Sequence, residues 1–379
     1  MVEGIQVLES IGSGASGVVY KGLFEKADVA IKIVPASIGL DKSMLREVML
    51  SSQLRHPNVV HTRLVRGAIL TADFIAEVFS GTLGSKQAPA PARSSEDMGK
   101  QAPPSAHSSD DTGKLMLSSA SEMCAGGSLA DALKRGLFQK KEGSRGTPVL
   151  AQKMLLRTMA EICRGMHYLH SYSVVHGDLK PANVLLTQSR ADRRGFTAKV
   201  ADFGLARMLP DGQSRMESGA TVYMSPEAFN GLHSKASDVW SFSVLLWEAM
   251  TGQRPYANQR PEQVMMGVIC QNLRPVWPDA EWPELSALGA RCLAYEPRDR
   301  PVFAVLEVEL LAMEQKLMER SREEWARSVS NGAMRVAPPG EDGNALSDAT
   351  SSAALHGPAP LQPAAAEAGA EAVVETEAL

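Results

Sequence analysis

Cysteine is scarce in this 379-residue chain. The four present, Cys124, Cys163, Cys270 and Cys292, are scattered, with no C-x-x-C pair. That excludes a dense disulfide framework, speaks against structural zinc and fits a reducing compartment. Long apolar runs are missing: none reaches the ~18 residues of a membrane-spanning helix. The N-terminus lacks the charged-then-apolar pattern of a secretory leader. Aromatic residues make up only 5%. Charge of one sign does not dominate: the formal net charge is −4, which excludes the strongly basic class of nucleic-acid or anionic-membrane binder. What remains is ordinary for a globular protein, 44% hydrophobic and 22% charged, with a length suited to one large or two medium domains.

Composition shifts twice along the chain. From Gly81 to Lys114 it is rich in Ser, Ala, Pro and Gly and has no aromatic residue. Such a segment cannot bury enough apolar surface to balance its ordering entropy, so a disordered loop is expected. The second shift begins near Asn331. From Val336 to Leu379 there is no Lys, Arg or aromatic residue, and there are seven acids. Without those seven, 36 acids face 39 basic residues, so the folded part is slightly basic at +3. Residues 5–34 read as β-structure with turns. Residues 41–54 carry Met44, Leu45, Val48 and Met49 at i, i+4 spacing and read as a helix. Leu115–Met123 is short and strand-like. Downstream, three segments (154–170, 238–252 and 304–325) have helical apolar spacing; in the last, Leu306, Leu310, Met313 and Leu317 mark one face.

Several motifs carry chemistry. Gly12-Ser-Gly14-Ala-Ser-Gly17-Val-Val19 lies between two strand-like runs, IQVLESI and VVYKGLF. A G-x-G-x-x-G between strands, rather than from strand to helix, argues for a hairpin lid over phosphates and against a dinucleotide fold. Val29-Ala30-Ile31-Lys32 follows closely. A lysine ending an apolar strand is ordinarily a snorkelling side chain; beside a phosphate-covering loop it can bind phosphate oxygens. Glu47, on the expected helix, is either a solvated carboxylate or the partner that positions Lys32. In His176-Gly-Asp178-Leu-Lys180-Pro-Ala-Asn183, Pro181 argues for a loop. Asp202-Phe203-Gly204 follows a strand-like run. Asn183 and Asp202 offer oxygen donors suited to Mg²⁺, Asp178 can orient and deprotonate a hydroxyl, and Lys180 can neutralise a transferring phosphoryl group.

Taken in order, with Ser225-Pro226-Glu227 as the fifth motif, the set resembles the eukaryotic protein kinases. DLKPANVLL, GATVYMSPE and CLAYEPRDRPVF are most similar to the tyrosine-kinase-like serine/threonine group, the plant Raf-like type. The resemblance implies an α+β bilobal kinase fold, with a small β-rich N-lobe and a larger, mainly helical C-lobe. The implied kinase domain is 5–315 with the insert at 81–114 before the hinge strand, a helical extension at 316–330 and a disordered acidic, Ala/Pro-rich tail at 331–379.

By the same resemblance, ATP and Mg²⁺ are the expected cofactors. The glycines Gly12, Gly14 and Gly17 would let backbone N–H groups approach the phosphates. Lys32, paired with Glu47, would hold the α- and β-phosphates. Val19, Ala30 and Leu185 would sandwich adenine, with Ile11 also in the ATP site. Glu122 and Cys124 would contact adenine through backbone, and the small Ser121 would leave a pocket open behind it. Asp178 is the implied catalytic base and Lys180 the phosphoryl stabiliser; Asn183 and Asp202 would hold the metal. Glu227 would pair with Arg300, and Asp238 would tie its helix to the catalytic loop. Lys180 and the Gly219-Ala-Thr221 style imply protein serine and threonine hydroxyls as substrates. No nucleic-acid partner or membrane insertion is expected. The expected location is cytoplasmic, with the nucleus left open.

Two positions depart from the family pattern. Gly177 stands where an arginine usually clamps an activation-loop phosphate, so a weaker dependence on phosphorylation is expected. Ser51 follows Glu47 by one turn, where a large apolar residue is usual. The alternative to an active kinase is a pseudokinase scaffold that binds nucleotide without efficient transfer.

Overall fold

The computed structural model describes residues 5–14, 17–35, 52–70, 114–139, 148–202 and 221–330. Alternation of apolar and polar residues governs the N-terminal part, where β1 (Ile5–Gly14), β2 (Gly17–Phe24) and β3 (Ala27–Pro35) pair antiparallel. Glu25 and Lys26 both have positive φ, 49° and 67°, the backbone of a two-residue hairpin whose twist matches its strands. Two further strands, β4 (Thr62–Leu70) and β5 (Lys114–Glu122), complete a five-stranded sheet of order β1-β2-β3-β5-β4. One face of β3 buries Val29 and Ile31 against Tyr20 and Ala120. β5 begins at the residue where the sequence reading ends the insert, and Leu70 pairs with Lys114 across the hairpin. The sequence reading left β4 unassigned. Its alternation is broken by Arg63, Arg66 and Gly67, and its register slips between Thr62 and Leu64. Of the expected helix over 41–54, only residues 52–54 are described; 52–53 are helical and Leu54 lies just past the helix. The expected disorder at 81–114 and 331–379 lies outside the described residues except at Lys114, which is the first residue of β5.

Helices make up most of the larger lobe. The short α1 (Leu129–Lys134) is capped by Ser128, whose hydroxyl accepts from Asp131 N–H. α2 (Pro148–Ser171) buries Leu155, Met159, Ile162, Met166 and Leu169 at helical spacing. A two-stranded hairpin, β6 (Val184–Gln188) with β7 (Phe196–Val200), packs on it. α3 (Lys235–Thr251) is buried on nearly every side, with Trp240 and Phe242 inaccessible, and it starts on a Ser234–Ser237 capping box. α4 (Pro261–Cys270) and α5 (Pro283–Cys292) follow. α6 (Phe303–Ser330) buries Leu306, Leu310 and Leu317, with Met313 packed partly against the same core. It runs unbroken through residue 315, so no change of structure marks the expected domain limit. The chain divides into two compact units, Met1–Ser321 and Arg322–Leu379. A β-sheet lobe followed by a larger helical lobe is the α+β architecture that the motifs implied.

Candidate functional site

Because strand side chains alternate, the β3 face opposite Val29 and Ile31 carries Ala30 and Lys32. Register sets Ala30 across from Ser121 and Lys32 across from Ser119 on β5, with Val19 of β2 on the other side of Lys32. These residues wall a cleft of about 370 Å³, within the ~300–1,000 Å³ usual for small-molecule sites. Ile11 and Gly12 line it from β1, Glu122 from the end of β5, and Met123 and Cys124 from the segment after β5; Leu185 lines it from β6, and Ala201 and Asp202 from the residues just after β7. The cleft also reaches Val60, Thr62 and Val65, past the small Ser121, so the open space expected behind that side chain is present.

Lys32 is buried, and its Nζ lies 3.0 Å from Asp202 Oδ1. This is a contact of charge: among the described residues no acceptor is aligned with the ammonium's N–H bonds. An ammonium in that state has three donors to offer. Asp202 itself has φ +57°, an unusual conformation for a side-chain-bearing residue that clusters at functional sites. Gly12 has no positive φ, and among the described residues no atom lies within 4 Å of where a Cβ would stand. Within that part of the chain neither packing nor backbone strain calls for glycine there.

A second group of side chains sits on the loop between α2 and β6. Lys180 Nζ is 2.7 Å from Asp178 Oδ2. Asn183 Nδ2 donates to the same carboxylate oxygen at 2.9 Å and to Asp178 C=O at 2.8 Å. Pro181–Asn183 forms a single 3₁₀ turn, which brings positions 178, 180 and 183 together where an α-helix would splay them. Ala201 N–H donates to Asn183 C=O at 2.8 Å, so the turn and Asp202 are tied side by side. The loop is held from below by Asp238 of α3. Its buried carboxylate accepts from His176 N–H (2.9 Å) and Gly177 N–H (2.8 Å) and pairs with His170 Nε2 (2.8 Å). Glu227 and Arg300 form the expected pair, through two hydrogen bonds of 2.6 and 2.9 Å. Burial raises the pKa of Glu227, but the hydrogen bonds and charge of Arg300 outweigh it and hold the carboxyl below its ordinary value.

The structure thus gathers Ile11, Gly12, Val19, Ala30, Lys32, Glu122, Cys124, Leu185 and Asp202 into one cleft, and Asp178, Lys180 and Asn183 into a cluster beside it. Gly14 and Gly17 pair with each other at the turn end of the β1–β2 hairpin. Glu47, Ser51, Phe203 and Gly204 lie outside the described residues. Thr221 is fully buried at the start of a 3₁₀ turn. Cys124 is buried, desolvation raises its thiol pKa, and Thr187 Oγ1 donates to its sulfur at 3.2 Å; it is a packed side chain rather than a reactive one. Sequence reasoning missed two things. One is the contribution of β4 to the cleft. The other is the side chain of Glu122, which is engaged by Lys199 Nζ and His61 N–H, each at 2.8 Å. A lysine alternating outward on β7 carries no sequence mark of a partner 77 residues away.

Comparison with known proteins agrees with this geometry. The family model described as protein tyrosine and serine/threonine kinase matches residues 5–75 and 112–310. The serine/threonine-protein kinase STY46 of Arabidopsis thaliana is 29% identical over 85% of this chain and 46% of its own length. Mitogen-activated protein kinase kinase kinase 13-B of Xenopus laevis is 29% identical over 89% of this chain and 29% of its own. The dual specificity protein kinase shkB of Dictyostelium discoideum is 32% identical over 78% of this chain and 38% of its own. The chain therefore spans less than half the length of these relatives. They bear out the resemblance to the tyrosine-kinase-like serine/threonine group. With five motifs in order, the lobes they imply and a matched span covering most of residues 5–310, the chain belongs to the protein tyrosine and serine/threonine kinase family.

Proposed function

We propose that this chain is a protein serine/threonine kinase that transfers the γ-phosphoryl group of MgATP to protein hydroxyls. The observation that carries the reading is the buried Lys32 ammonium, facing the cleft without a hydrogen-bond acceptor among the described residues and set 3.0 Å from Asp202. A triphosphate and its cation suit those two charges together. Gly12, with no neighbour among the described residues to demand it, leaves room for a close phosphate approach. Apolar Ile11, Val19, Ala30 and Leu185 suit the faces of a base, and backbone groups of Glu122 and Cys124 suit its edge.

In this reading Lys32 binds phosphate oxygens. Asn183 and Asp202 supply hard oxygen donors for Mg²⁺, which when bound neutralises phosphate charge. Asn183 Nδ2 is committed to Asp178, leaving Oδ1 as its ligand atom. Asp178 orients the substrate hydroxyl and accepts its proton, held in place by Asn183 and by the Lys180 ammonium. Lys180 then lies beside the transferring group as a counter-charge. The catalytic domain is 5–315, followed by a helical extension to 330 and the acidic tail. The proposal includes a cytoplasmic location, and among the described residues no helix is long and apolar enough to cross a membrane.

The test is a radiolabelled ATP·Mg²⁺ assay on a generic basic protein, comparing wild type with Asp202→Asn, followed by phosphoamino-acid analysis. Labelled serine and threonine with wild type, and no label with the variant, is the expected result. ATP binding without any labelling by wild type would replace this reading with a pseudokinase scaffold.

A further inference from the structure

The segment that follows β5 is docked on the β6–β7 hairpin at four points. Gly126 N–H donates to Leu186 C=O, and Leu186 N–H to Gly127 C=O, each at 2.9 Å. Thr187 Oγ1 donates to Cys124 Sγ. At the strand end, Lys199 of β7 meets Glu122. The approach is close: a Cβ on Gly126 would lie 2.5 Å from Leu186 O. The fourth contact differs in kind. Both partners are largely buried, with Lys199 14% and Glu122 22% exposed at the side chain. Glu122 Oε1 accepts from both the ammonium and His61 N–H. One carboxylate oxygen thus joins three elements: the end of β5, the lead into β4, and β7. Three residues after Lys199 comes Asp202, and across the hairpin Val184 adjoins Asn183 and pairs with Val200.

We infer that Lys199 is a positioning residue for nucleotide: by holding the Glu122 carboxylate it fixes the base-contacting backbone of residues 122–124 relative to Asn183 and Asp202. Lys199 lies outside the cleft lining, so its effect passes through Glu122 and the hairpin. Removing the ammonium leaves a mostly buried carboxylate without its counter-charge, and Glu122 must then rotate toward water or shift the strand end it belongs to. Removing both charges relieves that demand. The pair therefore couples, and its effect falls on nucleotide affinity rather than on the transfer step.

This inference rests on the cleft being an ATP site, and the experiment keeps the two apart. Wild-type full-length chain is first titrated with a fluorescent ATP analogue, and separately with adenosine; absence of binding in wild type overturns the kinase reading itself. With binding established, Lys199→Met, Glu122→Gln, the double variant and Lys199→Arg are titrated in parallel, with a melting curve for each. The expected result is a roughly five- to tenfold weaker Kd for Lys199→Met, the same for adenosine as for ATP because the perturbed end is the base end. The double variant should be no weaker than the worse single variant, and Lys199→Arg should restore most of the affinity. In the transfer assay Lys199→Met should raise KM for ATP by the same factor, with most of kcat kept. Losses that multiply in the double variant would overturn the inference. So would a Lys199→Met affinity within twofold of wild type, or a fall in kcat at unchanged KM, which is what a merely structural lysine would give. If Lys199→Met does not fold, Glu122→Gln alone decides: its amide oxygen can still accept from His61 N–H while the negative charge is lost, and an affinity within twofold of wild type overturns the inference.

Discussion

Gly177 is the position where a perturbation separates backbone strain from regulation. Its φ is +75°, a region that costs an L-residue with a side chain roughly 1–2 kcal/mol. Among the described residues space does not limit it: an added Cβ would find only His233 Nδ1, at 3.8 Å. The hydrogen bond that its own N–H makes to the Asp238 carboxylate, at 2.8 Å, uses only backbone of residue 177 and survives substitution. Gly177→Ala should therefore destabilise the chain by about 1–2 kcal/mol without weakening nucleotide binding. Denaturant unfolding checks this through a lower midpoint at unchanged slope. Gly177→Arg should carry the same backbone cost and also place a guanidinium beside the Asp178 loop. Phosphatase treatment should then reduce the activity of Gly177→Arg while leaving wild type little changed, because wild type has no arginine there to read an activation-segment phosphate. A loss above about 3 kcal/mol for Gly177→Ala would show that the site is sterically closed, against the ~1–2 kcal/mol expected from strain alone. Wild-type activity abolished by phosphatase would refute the link between Gly177 and phosphate independence.

Asp238→Asn turns one of two acceptor oxygens into a donor, facing either Gly177 N–H or both His176 N–H and His170. One orphaned donor costs about 1–3 kcal/mol, and with the loop before Asp178 loosened, kcat should fall more than KM rises; an unchanged kcat would contradict that role. Glu227 has a depressed pKa in the folded state, so its pairing with Arg300 stabilises the fold above the ordinary glutamate pKa of about 4.3 and is lost as pH falls through the lower folded value. Melting temperature followed from neutral to acid pH should drop less steeply for Glu227→Gln than for wild type, though from a lower start, and parallel curves would remove Glu227 from the acid response. A Cβ at Gly289 would collide with the Trp277 indole, so Gly289→Ala should cost roughly 1–3 kcal/mol by overpacking, read as a lower melting temperature with ATP affinity unchanged at the remote cleft.

How much of this was legible depended on whether a residue's role was local. Lys32 and Ala30 could be placed because strand alternation puts them on one face, and the hydrogen-bonded register confirms it. Asp178, Lys180 and Asn183 could be grouped because Pro181 forbids the helix that would scatter them. The helical faces of α2 and α6 followed from spacing alone, down to Leu317. β4 was not legible, since its arginines and glycine erase the alternation and its pairing with β5 spans the insert. The Glu122 carboxylate was equally hidden. A hinge glutamate reads as a backbone contact, and nothing near it in sequence announces Lys199 or His61.

The β6–β7 hairpin shows why distant motifs had to be read together. Its open end carries Asn183 and leads to Asp202, and its strands receive the segment after β5 through Leu186, Thr187 and Lys199. Its turn is pinned to α2: the buried Arg194 pairs with Glu161 and Asp192 and donates to Thr158 Oγ1 at 2.9 Å. Glu161 in turn accepts from Ala198 N–H at 2.9 Å, in the middle of β7. A five-residue strand pair has little stability of its own, so its rigidity is borrowed from α2 at one end and from Asp238 through the catalytic loop at the other. The metal-type oxygens and the base-facing backbone are therefore spaced by an element anchored in the helical core rather than by the glycine-rich sheet above them. Substitutions in the N-terminal sheet should on this ground change how tightly nucleotide is held. Substitutions under the hairpin should change whether what is held can react.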